Sequence, residues 1–440
     1  MAGGTFTVQD KVRPGAYINI KGVAKPKGTV GTRGIVTIPM ALEWGETDKL
    51  IKIDSVKFME GKYLEELGLY GHEEDATMIR EALRHSHTLW LYRVDTEAIK
   101  ATTTLGTLTA TARYGGKVGN RLSIIVKELE DSKYEVITVL GNTTVDNQIV
   151  STIEDLVSNS FIVFSGTGEL TANAGKSLEG GTSGTVTTDN YSKYLSLIKI
   201  KKFNTMGVYT TEDTVKQKLV QYIDTLRNTK GKKVQLVIND YNKADNEAII
   251  SVSQGYKTDT EEVNVEGFVG YYAGLTAGTS VNKSNTGHII PGAVEIINYI
   301  DDDDIEDALK EGKLVLSYTE DEKVQIEQDI NTLVTFTGDK TQPFSKNRVI
   351  RCLDDIANQS KSIWEAEFKG KMDNEPEGRN TYKSRMLSYL KSLETIKAIK
   401  SVSPEDFLVE KGEEKDAVTV EVNIHTIDSA EKLYMNVNVH

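Results

Sequence analysis

The period of the hydrophobic pattern changes along this chain, and that change constrains the fold more than any single motif. From about residue 98 to residue 190 the sequence is rich in Thr, Ser and Gly. Its apolar residues come in short alternating runs at 122–126, 134–139 and 161–164. Alternation every second residue is the signature of a strand with one buried face, and turn residues separate the runs. A β-rich module, a sandwich, is the expectation here. From Tyr191 onward strands and helices alternate. A strand at 204–209 precedes a helix at 211–228, where Val215, Leu219, Val220, Ile223 and Leu226 share one stripe and Thr211 or Asp213 can cap the start. Strands at 233–239 and 248–252 and a Gly/Ala-rich helix at 263–277 follow. This order predicts a largely parallel or mixed sheet. The strand runs 35–39 and 88–94 and a helix around 73–84 precede the β-rich stretch, so that stretch reads as an insertion into an α/β core.

The last hundred residues change again. Two long helices are expected at 346–368 and 380–399, then two strands at 417–424 and 432–439. Their alternation is strict: Val418, Val420, Val422 and Ile424 share one face, and Leu433, Met435, Val437 and Val439 share another. The fold class is therefore α+β multidomain, with an α/β core, an inserted β-sandwich domain and a C-terminal α+β domain carrying terminal strands. The segments divide as 1–22, 23–97, 98–190, 191–343 and 344–440, which suits 440 residues.

Composition excludes several classes of function. A net charge of −13 is wrong for coating a phosphate backbone, so no nucleic-acid partner is expected. No run reaches the ~18–20 apolar residues of a membrane helix, and the start lacks a signal-peptide pattern. Cys352 is the sole cysteine, which fits folding in a reducing cytoplasm.

Features that could carry chemistry each have a simpler reading. The GGKVGN run at 115–120 lacks the phosphate-loop frame and reads as a turn. Asp301, Asp302, Asp303 and Asp304 lack cation-loop spacing and read as the start of a helix, where carboxylates suit the exposed N–H groups. His85 and His87 have no third ligand nearby, and Cys352 reads as a small buried residue of a helix. No catalytic residue, metal or cofactor is assigned. A metal-dependent enzyme using Asp240, the Asp301–Asp304 run or the histidines remains the rival reading, beside a non-contractile virion or baseplate protein.

Two features survive. Strands at both chain ends (Arg13, Tyr17, Ile18 and Ile20; Val418, Val420, Val422, Leu433, Met435, Val437 and Val439) can either fold back as hairpins or pair with a neighbour's sheet edge. From 379 to 400, Arg379, Lys383, Arg385, Lys391, Lys397 and Lys400 oppose Glu394 alone, which suits a solvated helix face or an acidic partner.

The runs VRPGAYI (12–18), ARYGGKVGN (112–120), LEGGTSG (178–184), IEQDINTL (326–333), FSKNRVI (344–350) and EKLYMNV (431–437) occur in an order that resembles contractile tail sheath proteins. The similarity is greatest to those of phages and defective prophage-like particles of Gram-positive bacteria. The resemblance implies subunits stacked as hexameric rings around a tail tube, with baseplate and tail terminator proteins as further partners. It implies an outward sandwich and a tube-facing C-terminal domain. It also implies N- and C-terminal strands exchanged between subunits, in a virion or phage-tail-like particle made in the host cytoplasm. Against it, the chain carries one inserted module where large phage sheaths have more. The tube-facing assignment of the six basic residues is an inference from charge.

Overall fold

The computed structural model describes residues 2–4, 15–17 and 33–439. The chain forms two units: one of Thr32–Asn358 with His425–His440, the other of Met1–Gly31 with Gln359–Ile424.

The larger unit is organised on a seven-stranded sheet. Its order is Lys313–Leu314, Ile249–Val252, Gln235–Asn239, Thr205–Val208, Ile35–Met40, Thr88–Arg93 and Leu50–Asp54. All neighbours are parallel except the last pair. Thr205–Val208, Gln235–Asn239 and Ile249–Val252 are buried along their whole length. That is the pattern of a sheet covered by helices on both faces, and it explains why these runs are almost continuously apolar. One face packs on the helices Thr77–Leu83 and Val265–Gly278, the other on Thr188–Ile198 and Asp213–Asp224. Val215, Leu219 and Ile223 form the buried stripe of the last helix, as their spacing predicts. Neither Thr211 nor Asp213 caps it; Glu212 holds the cap position, and its N–H donates to Thr210 Oγ1 at 3.2 Å.

Val265–Gly278 is the central helix of the unit. Asn264 caps it by accepting from the Gly267 N–H. Its glycines answer a steric demand. A Cβ on Gly270 would lie 2.3 Å from Met78 O, and one on Gly274 would lie 2.2 Å from Ala82 O. The two helices thus touch backbone to backbone, which only residues without a side chain permit at those positions.

The inserted module is a β-sandwich. One sheet runs Thr143–Val150, Tyr134–Leu140, Leu122–Glu128, Asn173–Ser177; the other runs Ile162–Ser165, Leu108–Ala112, Thr102–Leu105. The chain crosses into and out of it as an antiparallel ribbon, with bridges Thr96–Thr185, Ile99–Thr182 and Thr102–Glu179. Trp44, from the preceding segment, is fully buried in the sandwich core. It stacks on Phe161 and meets Tyr114 edge-on. Two of the runs that carry the sheath resemblance lock together here: Asn120 Nδ2 donates to Gly181 O and Gly181 N donates to Asn120 Oδ1, both at 2.8 Å. The GGKVGN glycines are packing residues, since a Cβ on Gly115 would meet Ala98 O at 2.0 Å and one on Gly116 would meet Glu43 O at 2.1 Å.

In the smaller unit, Trp364, Phe368, Tyr382 and Phe407 form an aromatic cluster under the helix Pro376–Thr395. Phe407–Lys411 and Val418–Val422 make an antiparallel hairpin. The stretch 401–416 holds the turn Pro404–Asp406 and the first of these strands. Ala2–Gly4 pairs in parallel with Gly15–Tyr17.

Candidate assembly surfaces

The two alternating runs at the C-terminus adopt different states. Val418–Val422 is the second strand of a two-stranded hairpin, in register with Phe407–Lys411 from Lys411–Val418 to Phe407–Val422. Leu408 and Val420 are exposed. No third strand flanks this hairpin among the described residues. Two strands alone bury little and leave two open edges.

The run 432–439 is not a strand, although its alternation predicts one. Among the described residues it has no ladder partner, and every residue from 432 to 439 is exposed. Leu433 is 85% exposed, Met435 72%, Val437 72% and Val439 91%. Period-two patterning encodes the wish to bury one face of a strand, but a strand also needs an edge to pair with, and this segment has none among the described residues. Apolar side chains at such exposure are unusual for a segment whose function ends with its own fold.

The segment before it is firmly held. Glu431 Oε1 accepts from Thr286 Oγ1 at 3.1 Å, and its Oε2 accepts from Gln328 Nε2 at 2.9 Å and Lys346 Nζ at 2.5 Å. Lys346 also pairs with Asp428 at 3.2 Å, and Arg348 Nη1 donates to Ser429 Oγ at 2.6 Å. Burial alone would lower the Lys346 ammonium, but the two carboxylates outweigh it and raise it above its ordinary value. Sequence reading placed Glu431 inside a family-like run and assigned it no role.

At the other end, Tyr17 closes the strand Gly15–Tyr17, whereas Arg13, Ile18 and Ile20 lie outside the described residues.

The basic stretch does not form one face. At 3.6 residues per turn, Arg385 lies on one flank of the buried stripe of Tyr382, Met386, Tyr389 and Leu393, Lys383 lies on the other, and Lys391 lies on the opposite face. Arg385 is engaged with Glu367 through two contacts at 2.9 and 3.2 Å. Arg379 donates to Asn374 O and Oδ1 at 2.8 and 2.9 Å. Lys383 is half-buried, and Lys391, Lys397 and Lys400 are exposed.

Four domain descriptions of phage tail sheath proteins match consecutive parts of the chain. They are the tail sheath protein Gp18 domain III N-terminal region at 33–94, the β-sandwich domain at 95–189, the central domain at 184–332 and the C-terminal domain at 339–440. The phage-like element PBSX protein XkdK of Bacillus subtilis is 31% identical over the full length of both chains. The sheath tail protein from Desulfitobacterium hafniense superposes with a TM-score of 0.86 at 36% identity, covering 96% of this chain and 99% of that one.

The chain belongs to the phage tail sheath family.

The contracted helical sheath of the anti-feeding prophage shares the fold at only 10% identity, with a TM-score of 0.57 over 97% of this chain and 98% of that one. The sheath protein is thus a structural component of a phage or phage-like particle. Its α+β, sandwich-bearing fold is the one that the sequence predicts.

The residues considered for chemistry lie apart in this sheath protein. His87 is used locally: Nδ1 lies 2.8 Å from Thr88 Oγ1 and Nε2 lies 3.1 Å from Arg33 O. His85 packs edge-on against Tyr271, beside His288. Burial, then the neighbouring His288 and Arg84, lower the His85 imidazole to about 4. Asp302–Lys310 is a helix with Asp302, Asp303 and Asp304 in its first turn, and Asp301 stands at the cap position without a side-chain cap bond. Asp240 follows the strand Gln235–Asn239, exposed, with φ of 45°. Among the described residues no three His, Cys, Asp or Glu side chains group to hold a metal ion. Cys352 is buried in the helix Asn347–Ile363, and burial pushes its thiol up to about 12, the state of an unreactive thiol. Among the described residues no helix is long and apolar enough to cross a membrane.

Proposed function

We propose that this sheath protein polymerises as stacked hexameric rings around a tail tube, and that the assembled sheath contracts to drive the tube through a bacterial envelope. The observation that carries this reading is the C-terminal run 432–439. It has strand periodicity, four apolar side chains on one face and no strand partner among the described residues. A two-stranded hairpin with open edges, Phe407–Lys411 and Val418–Val422, offers the complementary surface in a neighbouring copy. Insertion of Leu433, Met435, Val437 and Val439 beside such an edge satisfies backbone groups and buries apolar area together. Val418, Val420 and Val422 then belong to the receiving side. Arg13, Tyr17, Ile18 and Ile20 supply the N-terminal partner strand.

In this reading residues 98–190 are the outward module, 23–97 and 191–343 the core, and 344–440 the tube-facing domain. Lys391, Lys397 and Lys400 are the exposed cations best placed to meet an acidic tube surface. Baseplate and tail terminator proteins are the partners at the two ends of the stack. The protein is made in the host cytoplasm and works in the particle. Contraction needs no cofactor, since a metastable packing relaxes to a better one while linking strands keep neighbours connected.

Removal of residues 433–440 tests the reading. The truncated protein is expected to keep the helical content and unfolding transition of the full chain but to form no polymer. Polymers of normal appearance from the truncated protein would refute strand exchange.

A further inference from the structure

We propose that Glu431 is the anchor that fixes where, and in which direction, the C-terminal segment leaves the subunit, and that assembly depends on it through this positioning. The proposal rests on the strand-exchange reading above.

The surroundings of the chain change sharply at this residue. Glu431 is held by three partners from three separate segments: Thr286, Gln328 and Lys346. Its side chain is 9% exposed. Every residue from 432 to 439 is exposed. A carboxylate so far removed from water is costly unless paired, and here both oxygens accept, one of them from an ammonium. Asp428 and Ser429 add a second point of attachment on Lys346 and Arg348. The knot also reaches inward. The Thr286 hydroxyl that donates to Glu431 accepts from the Asp329 N–H at 2.9 Å, and Asp329 is the buried partner of Arg351. The base of the segment is thereby tied to a fixed charge pair in the core.

The physical consequence is preorganisation. Eight extended residues reach roughly 26 Å at ~3.3 Å each. Tethered by a loose base, such a segment samples a wide volume, and docking must freeze both base and strand. With the base already fixed, only the strand orders on binding, and its register against a neighbour's edge is set by the distance from Glu431.

The test compares the full chain with Glu431→Ala, Lys346→Met and the chain lacking 433–440. Before assembly, each full-length form is digested by an endoproteinase that cuts before aspartate, and separately by trypsin. Trypsin should cut after the exposed Lys432 in all of them. Cleavage before Asp428 should be slow in the natural chain, fast in Glu431→Ala and intermediate in Lys346→Met. Polymer yield by sedimentation should fall in the same order, with the unfolding transition of the larger unit unchanged. Normal polymers from Glu431→Ala, alongside none from the truncated chain, would overturn the anchor while leaving strand exchange standing. Normal polymers from the truncated chain would overturn both. Loss of assembly only together with a lowered unfolding transition would reduce Glu431 to a stability residue and overturn its positioning role; in that case Lys346→Met, which keeps the Thr286 and Gln328 contacts, must show the same coupling.

Discussion

Arg351 and Asp329 form an ion pair with Nη2 2.7 Å from Oδ2, and both side chains are wholly buried. The pair is closed by further bonds. Tyr272 Oη donates to Asp329 Oδ1 at 2.5 Å, the Asn285 N–H donates to Oδ2 at 2.8 Å, and Arg351 donates to Thr276 Oγ1 and Lys283 O. It ties the helix Asn347–Ile363 to the helix Val265–Gly278 and to the loop that holds Glu431. Burial would push the Asp329 carboxyl up, but the Arg351 guanidinium beside it prevails and holds it below the usual carboxylate range. Asp329→Asn leaves a buried guanidinium without its counter-charge, so a loss of about 3–5 kcal/mol in unfolding free energy is expected in denaturant titration. Asp329→Asn combined with Arg351→Met should recover part of that loss. An effect of Asp329→Asn within the scatter of surface substitutions would contradict this account of the pair.

Acid should weaken the larger unit through its histidines. His85 and His288 lie with ring centroids 5.9 Å apart, and burial lowers both imidazoles, His85 to about 4. The groups facing them are Tyr271, Arg84 and Asp329; the last acts to raise His288. The folded state therefore binds fewer protons than the unfolded chain in this range. The stabilising contribution of neutral His85 is complete above about pH 6.5, the unfolded value, and is lost as pH falls toward about 4. Allowing for partial exposure, the expected loss is on the order of 1–2 kcal/mol. His85→Leu should flatten the pH dependence of unfolding between those limits; an unchanged slope would exclude His85 as its source.

The basic stretch divides into two kinds of residue that respond differently to charge reversal. Arg385→Glu faces Glu367 and should lower the thermal midpoint of the protein. Lys391→Glu, Lys397→Glu and Lys400→Glu together should leave that midpoint almost unchanged, because exposed charges contribute little to folding. The triple variant should nevertheless bind an isolated tail tube more weakly, most visibly at low salt, where screening is least. Unaltered tube binding in a low-salt pelleting assay would remove these lysines from the tube-facing surface.

The elements of the core were legible because their periodicity is a local record of burial. Val215, Leu219 and Ile223 announce a helix stripe, and the apolar run at 235–239 announces a strand covered on both faces. Gly270 and Gly274 were readable as a close-packing surface, although their partners Met78 and Ala82 lie almost two hundred residues away. Relations between distant residues were not legible. Arg385 counts as a free positive charge in the sequence until Glu367 is seen beside it. Glu431 looks like one more polar residue ahead of an alternating run until Thr286, Gln328 and Lys346 converge on it. The run 432–439 shows the opposite limit. Its pattern specifies a strand, but none of the described residues supplies a partner edge, so pattern and observed state diverge.

Negative-stain electron microscopy of the purified full-length protein, raised to high concentration, tests the central claim of self-assembly most directly. Hollow, regularly striated cylinders with sixfold end views are the predicted result. A protein that stays monomeric at every concentration and salt tested, with no ordered polymer, would contradict it.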